Sequence, residues 1–296
     1  MKIIFFGTPS FVIPVLQSLT NNFDVVGVIT AADSIQGREK ILTPSPVKQF
    51  SLENYPSLPV LTPQQFNTET ASNAARAMQQ LSELNPDLFV VAAYGKIIPQ
   101  SILEIPKNGA LNIHPSLLPK YRGPSPIQTA LLHGDEKTGV SIIAMDAKMD
   151  HGPIVSQWET AISPNDTFES LHNSLFQDAA DRLSAIITEY MDGKSIPVEQ
   201  DEAQVTFCKM ITRESGYFDS SNPPSQEKLA LMIRAYFPWP TAWTKIKIKN
   251  NEERIMKLLP GGRIQMEGKN VMGMKEFLNG YPELKPLLQQ LLSTLH

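Results

Sequence analysis

At 296 residues, with 42% hydrophobic and 19% charged side chains, the chain carries enough apolar material for one large or two ordinary cores, which excludes a disordered polymer. A net charge of -4 excludes indiscriminate coating of nucleic acid but leaves room for a local basic face. The single Cys208 excludes an intramolecular disulfide and a cysteine-based zinc cluster, and no run approaches the roughly 18 to 20 apolar residues of a membrane span; the expected setting is the cytoplasm, with no membrane partner.

The opening segment MKIIFFGTPSFVIPVL sets apolar residues after a charge, as a secretory leader does, but Gly7, Pro9 and Pro14 interrupt it and no small-residue cleavage site follows. It reads as a strand, KIIFFG (2 to 7), and a turn. FGTPSF lacks the G-x-G-x-x-G spacing that brings backbone against a pyrophosphate, so no nicotinamide cofactor is expected. An apolar-periodic stretch from Val12 to Leu19 leads to a second strand, FDVVGVIT (23 to 30), and then to a polar, Gly- and Pro-containing loop, 31 to 46. A helical pattern from Glu69 to Leu84 precedes LFVVAAYG (88 to 95), and GALNIH (109 to 114) and GVSIIAMD (139 to 146) read as further strands. Residues 165 to 191 form one helix, with Asn165 or Asp166 as its cap. From 192 to 206 the chain turns polar and aperiodic, as a linker does; the GKS at 193 to 195 lacks the upstream glycine of a phosphate loop and follows a helix. Fully apolar strands spaced by helices imply an α/β domain over 1–191, its mostly parallel sheet covered on both faces, with ligands at the carboxyl ends of the strands. A second domain occupies 207–296.

Chemistry-bearing residues stand just after two of these strands. On a strand, positions i and i+2 share a face, so Asn112 and His114 present an amide and a titratable ring side by side. That pairing alone also suits a hydrogen-bonded surface histidine. Asp150, in the glycine-bounded turn of AKMDHGPIV (147 to 155), adds a carboxylate that can orient His114 and take up charge, the acid/base relation of acyl transfer. His133, His172 and His296 have no such company.

The Asn112-x-His114 pair, the SLLPKYRG that follows it and the Asp150-x-Gly152 turn together resemble the signature of the formyltransferases that use 10-formyltetrahydrofolate. FFGTPSF at the start, the insertion GREKILTPSPVK (37 to 48) and IRAYFPWPTAW (233 to 243) are similar to the branch of that family acting on methionyl-tRNA. The resemblance implies a Rossmann-like catalytic domain, a smaller, mainly β, OB-like C-terminal domain, and an enzyme that formylates initiator methionyl-tRNA with 10-formyltetrahydrofolate as co-substrate and no metal; a monomer is expected. It implies catalytic roles for Asn112, His114 and Asp150, and folate contacts from Val91, Ala93, Tyr94 and Gly95 and from Ser116, Leu117, Leu118 and Pro119. A sugar-nucleotide formyltransferase shares the same trio; the insertion separates the two readings. A non-catalytic tRNA- or folate-binding protein is disfavoured by the presence of all three residues.

The insertion offers Arg38 and Lys40 to tRNA phosphates, with Glu39 a departure from the more basic pattern of that branch. In the second domain, residues 241 to 275 hold eight cations (Lys245, Lys247, Lys249, Arg254, Lys257, Arg263, Lys269, Lys275) against three glutamates, a local excess of +5 inside an acidic chain. TKIKIK alternates as a half-buried strand would, placing Lys245 and Lys247 on one face as tRNA contacts. Strand signals fade after Met272 and PELKPLLQQLLSTLH reads as helical, so the barrel is expected to be abridged.

Overall fold

β1 (Lys2–Gly7) is buried at every position after Lys2, a pattern that suits only the interior of a sheet covered on both faces. The computed structural model describes residues 1–36, 40–63, 71–248 and 252–292. Gly7 closes β1, and a Cβ there would collide with the Phe5 ring and with Val12, so the glycine serves packing. α1 (Ile13–Asn22) starts with Pro14 in its first turn, where a missing N–H leaves no bond unmade, and it buries Val15, Leu16 and Leu19 before β2 (Asp24–Ile29). An antiparallel hairpin, β3 (Ser34–Gln36) with β4 (Ile41–Thr43), stands where a loop was expected. The Ser45 hydroxyl caps α2 (Pro46–Asn54) by accepting the Lys48 N–H at 3.1 Å.

β5 (Val60–Leu61), α3 (Ala71–Glu83), β6 (Leu88–Ala92), the short α4 (Gln100–Leu103) and β7 (Ala110–His114) continue the alternation. α5 (Pro126–His133), β8 (Lys137–Ala144), β9 (Ile154–Ala161) and α6 (Phe168–Met191) follow. Seven strands form one sheet in the order β5-β2-β1-β6-β7-β8-β9, parallel from β5 through β7 and antiparallel between β7 and β8. This is the expected mostly parallel, Rossmann-like sheet. Its core centres on Phe6, whose ring lies 4.9 Å from Phe89 and 5.4 Å from Tyr94.

β6 and α6 differ in their bounds from the sequence reading, and β8 ends at Ala144 instead of Asp146. β6 stops at Ala92 instead of running to residue 95, because Ala93 and Gly95 take φ of +46° and +82° and turn the chain out of the sheet. α6 starts at Phe168 and is capped by Thr167, not by Asn165 or Asp166. The Thr167 hydroxyl accepts the Ser170 N–H at 3.2 Å while Ser170 Oγ accepts the Thr167 N–H at 3.0 Å, a reciprocal arrangement open only to the residue three places before Ser170.

Contacts divide the chain into two compact units. One holds Met1–Gly123, Gly139–Thr160 and Asn173–Phe207; the other holds Pro124–Thr138, Ala161–His172 and Cys208–His296. The second unit thus recruits two stretches from within residues 1–191, because α5 packs against α7 (Gln226–Ala235). Its sheet is a four-stranded antiparallel meander, β10 (Ala242–Lys247), β11 (Glu253–Leu259), β12 (Arg263–Met266) and β13 (Val271–Gly273), followed by α8 (Met274–Gly280) and α9 (Lys285–Leu292). Among the described residues this open meander stands where an OB-like barrel was expected. Ala242, Thr244 and Ile246 are buried along β10, whereas Lys245 and Lys247 are exposed together on one face, as the alternation required.

Candidate active site

β7 carries Asn112 and His114 to the carboxyl end of the sheet on one face, and Asp150 comes to them from the loop after β8. Asn112 Nδ2 and His114 Nδ1 lie 3.4 and 3.5 Å from the same oxygen, Asp150 Oδ1. The other oxygen, Oδ2, accepts the Gly123 N–H at 2.8 Å. The His114 side chain is 5% exposed and that of Asp150 14% exposed, so the carboxylate keeps an opening to solvent that the imidazole lacks. His114 Nε2 lies 3.0 Å from the Tyr121 carbonyl; a carbonyl only accepts, so Nε2 bears a hydrogen and Nδ1 is the atom presented to Asp150. Asp150 itself sits at φ +50°, and Gly152 cannot be larger because a Cβ would run into the Ala144 carbonyl oxygen at the end of β8. An amide donor, an imidazole and an anchored carboxylate thus converge within one hydrogen-bonding radius, which equips the site to stabilise an oxyanion and to move a proton.

The other predicted site residues are placed as follows. Val91 and Tyr94 are buried in the core around Phe6, so a ligand at the end of β6 would meet them through main chain; burial pushes the Tyr94 hydroxyl up to about 12, keeping it neutral. Ala93 and Gly95 are accessible at the turn leaving that strand. Ser116 and Leu118 are buried, Ser116 Oγ donating to the Lys120 carbonyl at 2.7 Å. Leu117 and Pro119 line an open depression of about 470 Å³ with Lys120, Gln157, Trp158, Glu159 and Gln204; Asn112, His114 and Asp150 do not belong to that lining. Arg38 and Lys249 lie outside the described residues, as does His296. Lys40 is exposed at the turn of the β3–β4 hairpin, and Ile35, Ile41 and Leu42 of that hairpin are also exposed. Lys245 Nζ pairs with Glu253 at 3.0 Å, and Arg254 with Glu252 at 2.7 Å, so these two cations already face carboxylates.

Three side chains around the site escaped the sequence reading. Arg122, in the SLLPKYRG stretch after His114, is 3% exposed and turned inward. Gln200, in the stretch read as a linker, donates from Nε2 to the Asp150 and Gly152 carbonyls, each at 2.8 Å. His151, beside Asp150, places Nδ1 2.5 Å from Asp146 Oδ2 and Nε2 3.5 Å from Glu202. No spacing rule ties residue 200 to residue 150, whereas the His151–Asp146 pair stands five apart in one loop and was open to inspection.

Residues 1–187 match a family described as formyl transferase. The methionyl-tRNA formyltransferase of Roseiflexus castenholzii is 44% identical over 246 residues, spanning 82% of this chain and 75% of that one. The methionyl-tRNA formyltransferase of Caldanaerobacter subterraneus subsp. tengcongensis is 35% identical over 309 residues, 95% of this chain and 97% of that one. Among solved structures, a sugar N-formyltransferase from a Shewanella species superposes with a TM-score of 0.63 over 88% of this chain and 98% of that one, at 16% identity, a likeness of fold. No helix among the described residues is long and apolar enough to cross a membrane.

Proposed function

The chain belongs to the formyl transferase family, and we propose that it transfers the formyl group of 10-formyltetrahydrofolate to the α-amino group of methionyl-tRNA, the initiator of translation. The observation that carries the reading is the convergence of Asn112 and His114 on one oxygen of Asp150. Relatives named for this activity, similar along most of the chain, support the choice of acceptor. The reading assigns chemistry to residues 1–191 and tRNA contact to 207–296, in a monomeric, cytoplasmic enzyme.

Formyl transfer makes a bond from the acceptor nitrogen to the formyl carbon, breaks the bond from that carbon to the donor nitrogen, and moves one proton from the first nitrogen to the second. The folate supplies the activated acyl carbon. Charge develops on the formyl oxygen, and a donor aimed at it is worth about 2.7 to 4 kcal/mol in the transition state. Asn112 Nδ2 and His114 Nδ1 are the two donors. At 3.4 and 3.5 Å their contacts with Asp150 are long, so they are free to shorten onto an oxyanion seated between them. With Nε2 already donating to the Tyr121 carbonyl, a donating Nδ1 makes the ring an imidazolium, which Asp150 offsets. Asp150, fixed through Oδ2, takes the proton of the attacking amine at Oδ1 and returns it through water to the leaving nitrogen. The folate contacts assigned to Val91, Ala93, Tyr94, Gly95 and Ser116 to Pro119 would be mainly main-chain at the end of β6. Arg38, Lys40, Lys245 and Lys247 are assigned to tRNA phosphates.

The test offers purified protein and 10-formyltetrahydrofolate to methionyl-tRNA and to an amino-sugar nucleotide in parallel. Formylation of methionyl-tRNA is expected; a higher kcat/KM for the sugar nucleotide overturns the reading.

A further inference from the structure

A guanidinium taken out of water must find partners for its N–H groups, and the way Arg122 finds them reaches back to Asp150. Arg122 Nε and Nη2 donate to Gln200 Oε1 at 3.0 and 2.8 Å, and Nη2 and Nη1 to Glu202 Oε1 and Oε2 at 2.7 and 3.4 Å. Because the guanidinium has no acceptor, it admits the Gln200 amide in one orientation only, oxygen inward and NH2 outward. Both amide hydrogens are then aimed at the Asp150 and Gly152 carbonyls. These two carbonyls bracket the turn that holds Asp150 at φ +50°, a conformation an L-residue keeps only where its surroundings over-determine it.

The same segment reaches the histidine side of the site. Thr206 Oγ1 accepts the Tyr121 N–H at 2.9 Å and the Thr206 carbonyl accepts the Arg122 N–H at 2.9 Å. Between them these bonds fix the stretch whose Tyr121 carbonyl receives His114 Nε2 and whose Gly123 N–H grips Asp150 Oδ2.

We propose that Gln200, oriented by Arg122, is a positioning residue that holds Asp150 in register with His114 and Asn112. The inference rests on the catalytic reading of Asp150 above. Gln200→Glu isolates the role: it keeps an oxygen against Arg122 and strengthens that pair, but it puts lone pairs where the Asp150 and Gly152 carbonyls need hydrogens. Turnover of methionyl-tRNA should fall at least about tenfold in kcat, with KM for 10-formyltetrahydrofolate within about twofold of the parent. On an Asp150→Asn background the same change should cost less than about twofold more, since a residue acting through Asp150 has nothing left to position. Arg122→Lys, which cannot fork between Gln200 and Glu202, should show the same non-additivity and covers the case in which Gln200→Glu does not fold. Thermal melting is followed alongside. If Gln200→Glu turns over normally, or multiplies fully with Asp150→Asn, or if the losses of both variants simply track melting temperature, the inference is overturned while the reading of Asp150 stands. Near-normal turnover of Asp150→Asn alone overturns that reading and the inference with it.

Discussion

Asp150 divides its two oxygens between two tasks, Oδ2 anchored on the Gly123 N–H at 2.8 Å and Oδ1 facing Asn112 and His114. An asparagine of the same size cannot serve both. Either its NH2 meets the Gly123 N–H, donor against donor, or it faces Asn112 and His114 and loses the proton acceptor. Asp150→Asn is therefore expected to lower kcat at least about a hundredfold while folate affinity changes little, read by single-turnover kinetics beside equilibrium folate binding. Asn112→Ala removes one of the two proposed oxyanion donors and should cost about a hundredfold to a thousandfold in kcat, again with folate affinity retained; equal losses in kcat and in folate affinity would instead assign Asn112 to binding. At this scale strand parity put Asn112 and His114 on one face, but only the resemblance to the formyltransferases tied Asp150 to them, and the contacts of 3.4 and 3.5 Å then bring the three together. Gln200 and Arg122 were not legible. Their roles depend on a hydrogen-bond geometry between segments 78 residues apart, and an inward-turned arginine looks in sequence like any other cation.

Among the elements, the strands carried their own signal: β1, β6 and β7 are apolar runs whose burial leaves them no choice but a two-faced sheet. What sequence could not resolve was where such a run leaves the sheet, since the positive φ at Ala93 is set by tertiary context in a residue that rarely adopts it. The β3–β4 hairpin was missed for a related reason. Its strands are three residues each, too short for a period to show, and its aliphatic side chains Ile35, Ile41 and Leu42 point to solvent, so they read as loop. Exposed aliphatics on an element carrying Lys40 suit a surface that meets a nucleic-acid end, with phosphate and base surface side by side. Leu42→Ser, at a position 64% exposed, should leave the melting temperature unchanged and raise KM for methionyl-tRNA more than KM for the folate; equal rises would assign the hairpin to the folate site or to the fold. On β10, Lys247 and Lys245 are not equivalent, because Lys245 faces Glu253. Lys247→Ala is expected to flatten the log–log salt dependence of tRNA affinity by about one unit and Lys245→Ala by less, an unchanged slope in both marking the face as merely solvated.

For the molecule as a whole, the division into contact units decides which experiment can separate catalysis from tRNA docking. Deleting the C-terminal region appears clean if the chain is two beads on a string, but residues 124–138 and 161–172 belong to the same unit as 208–296. Within that unit α5 packs on α7, and Ile127, Ala130 and Leu131 of α5 are buried. Exposing an aliphatic side chain of the size of Ile127 or Leu131 costs about 1.5 to 3 kcal/mol, a large share of the roughly 5 to 15 kcal/mol that holds a typical domain together. A cut near residue 205 is worse still, since it also removes Thr206, which fixes Tyr121 and Arg122 beside Asn112, His114 and Asp150. A chain ending at Phe207 is therefore expected to melt at least about 5 °C below the full chain, or to aggregate, and to lose activity on every acceptor alike. Differential scanning fluorimetry with size-exclusion chromatography checks this. A truncated chain that stays monomeric at the parent melting temperature would show that α5 needs no cover from α7, and truncation would then become a fair test of docking. Until that outcome is seen, the lysine substitutions on β10 are the sounder probe, because they alter charge on an exposed face and leave the buried one intact.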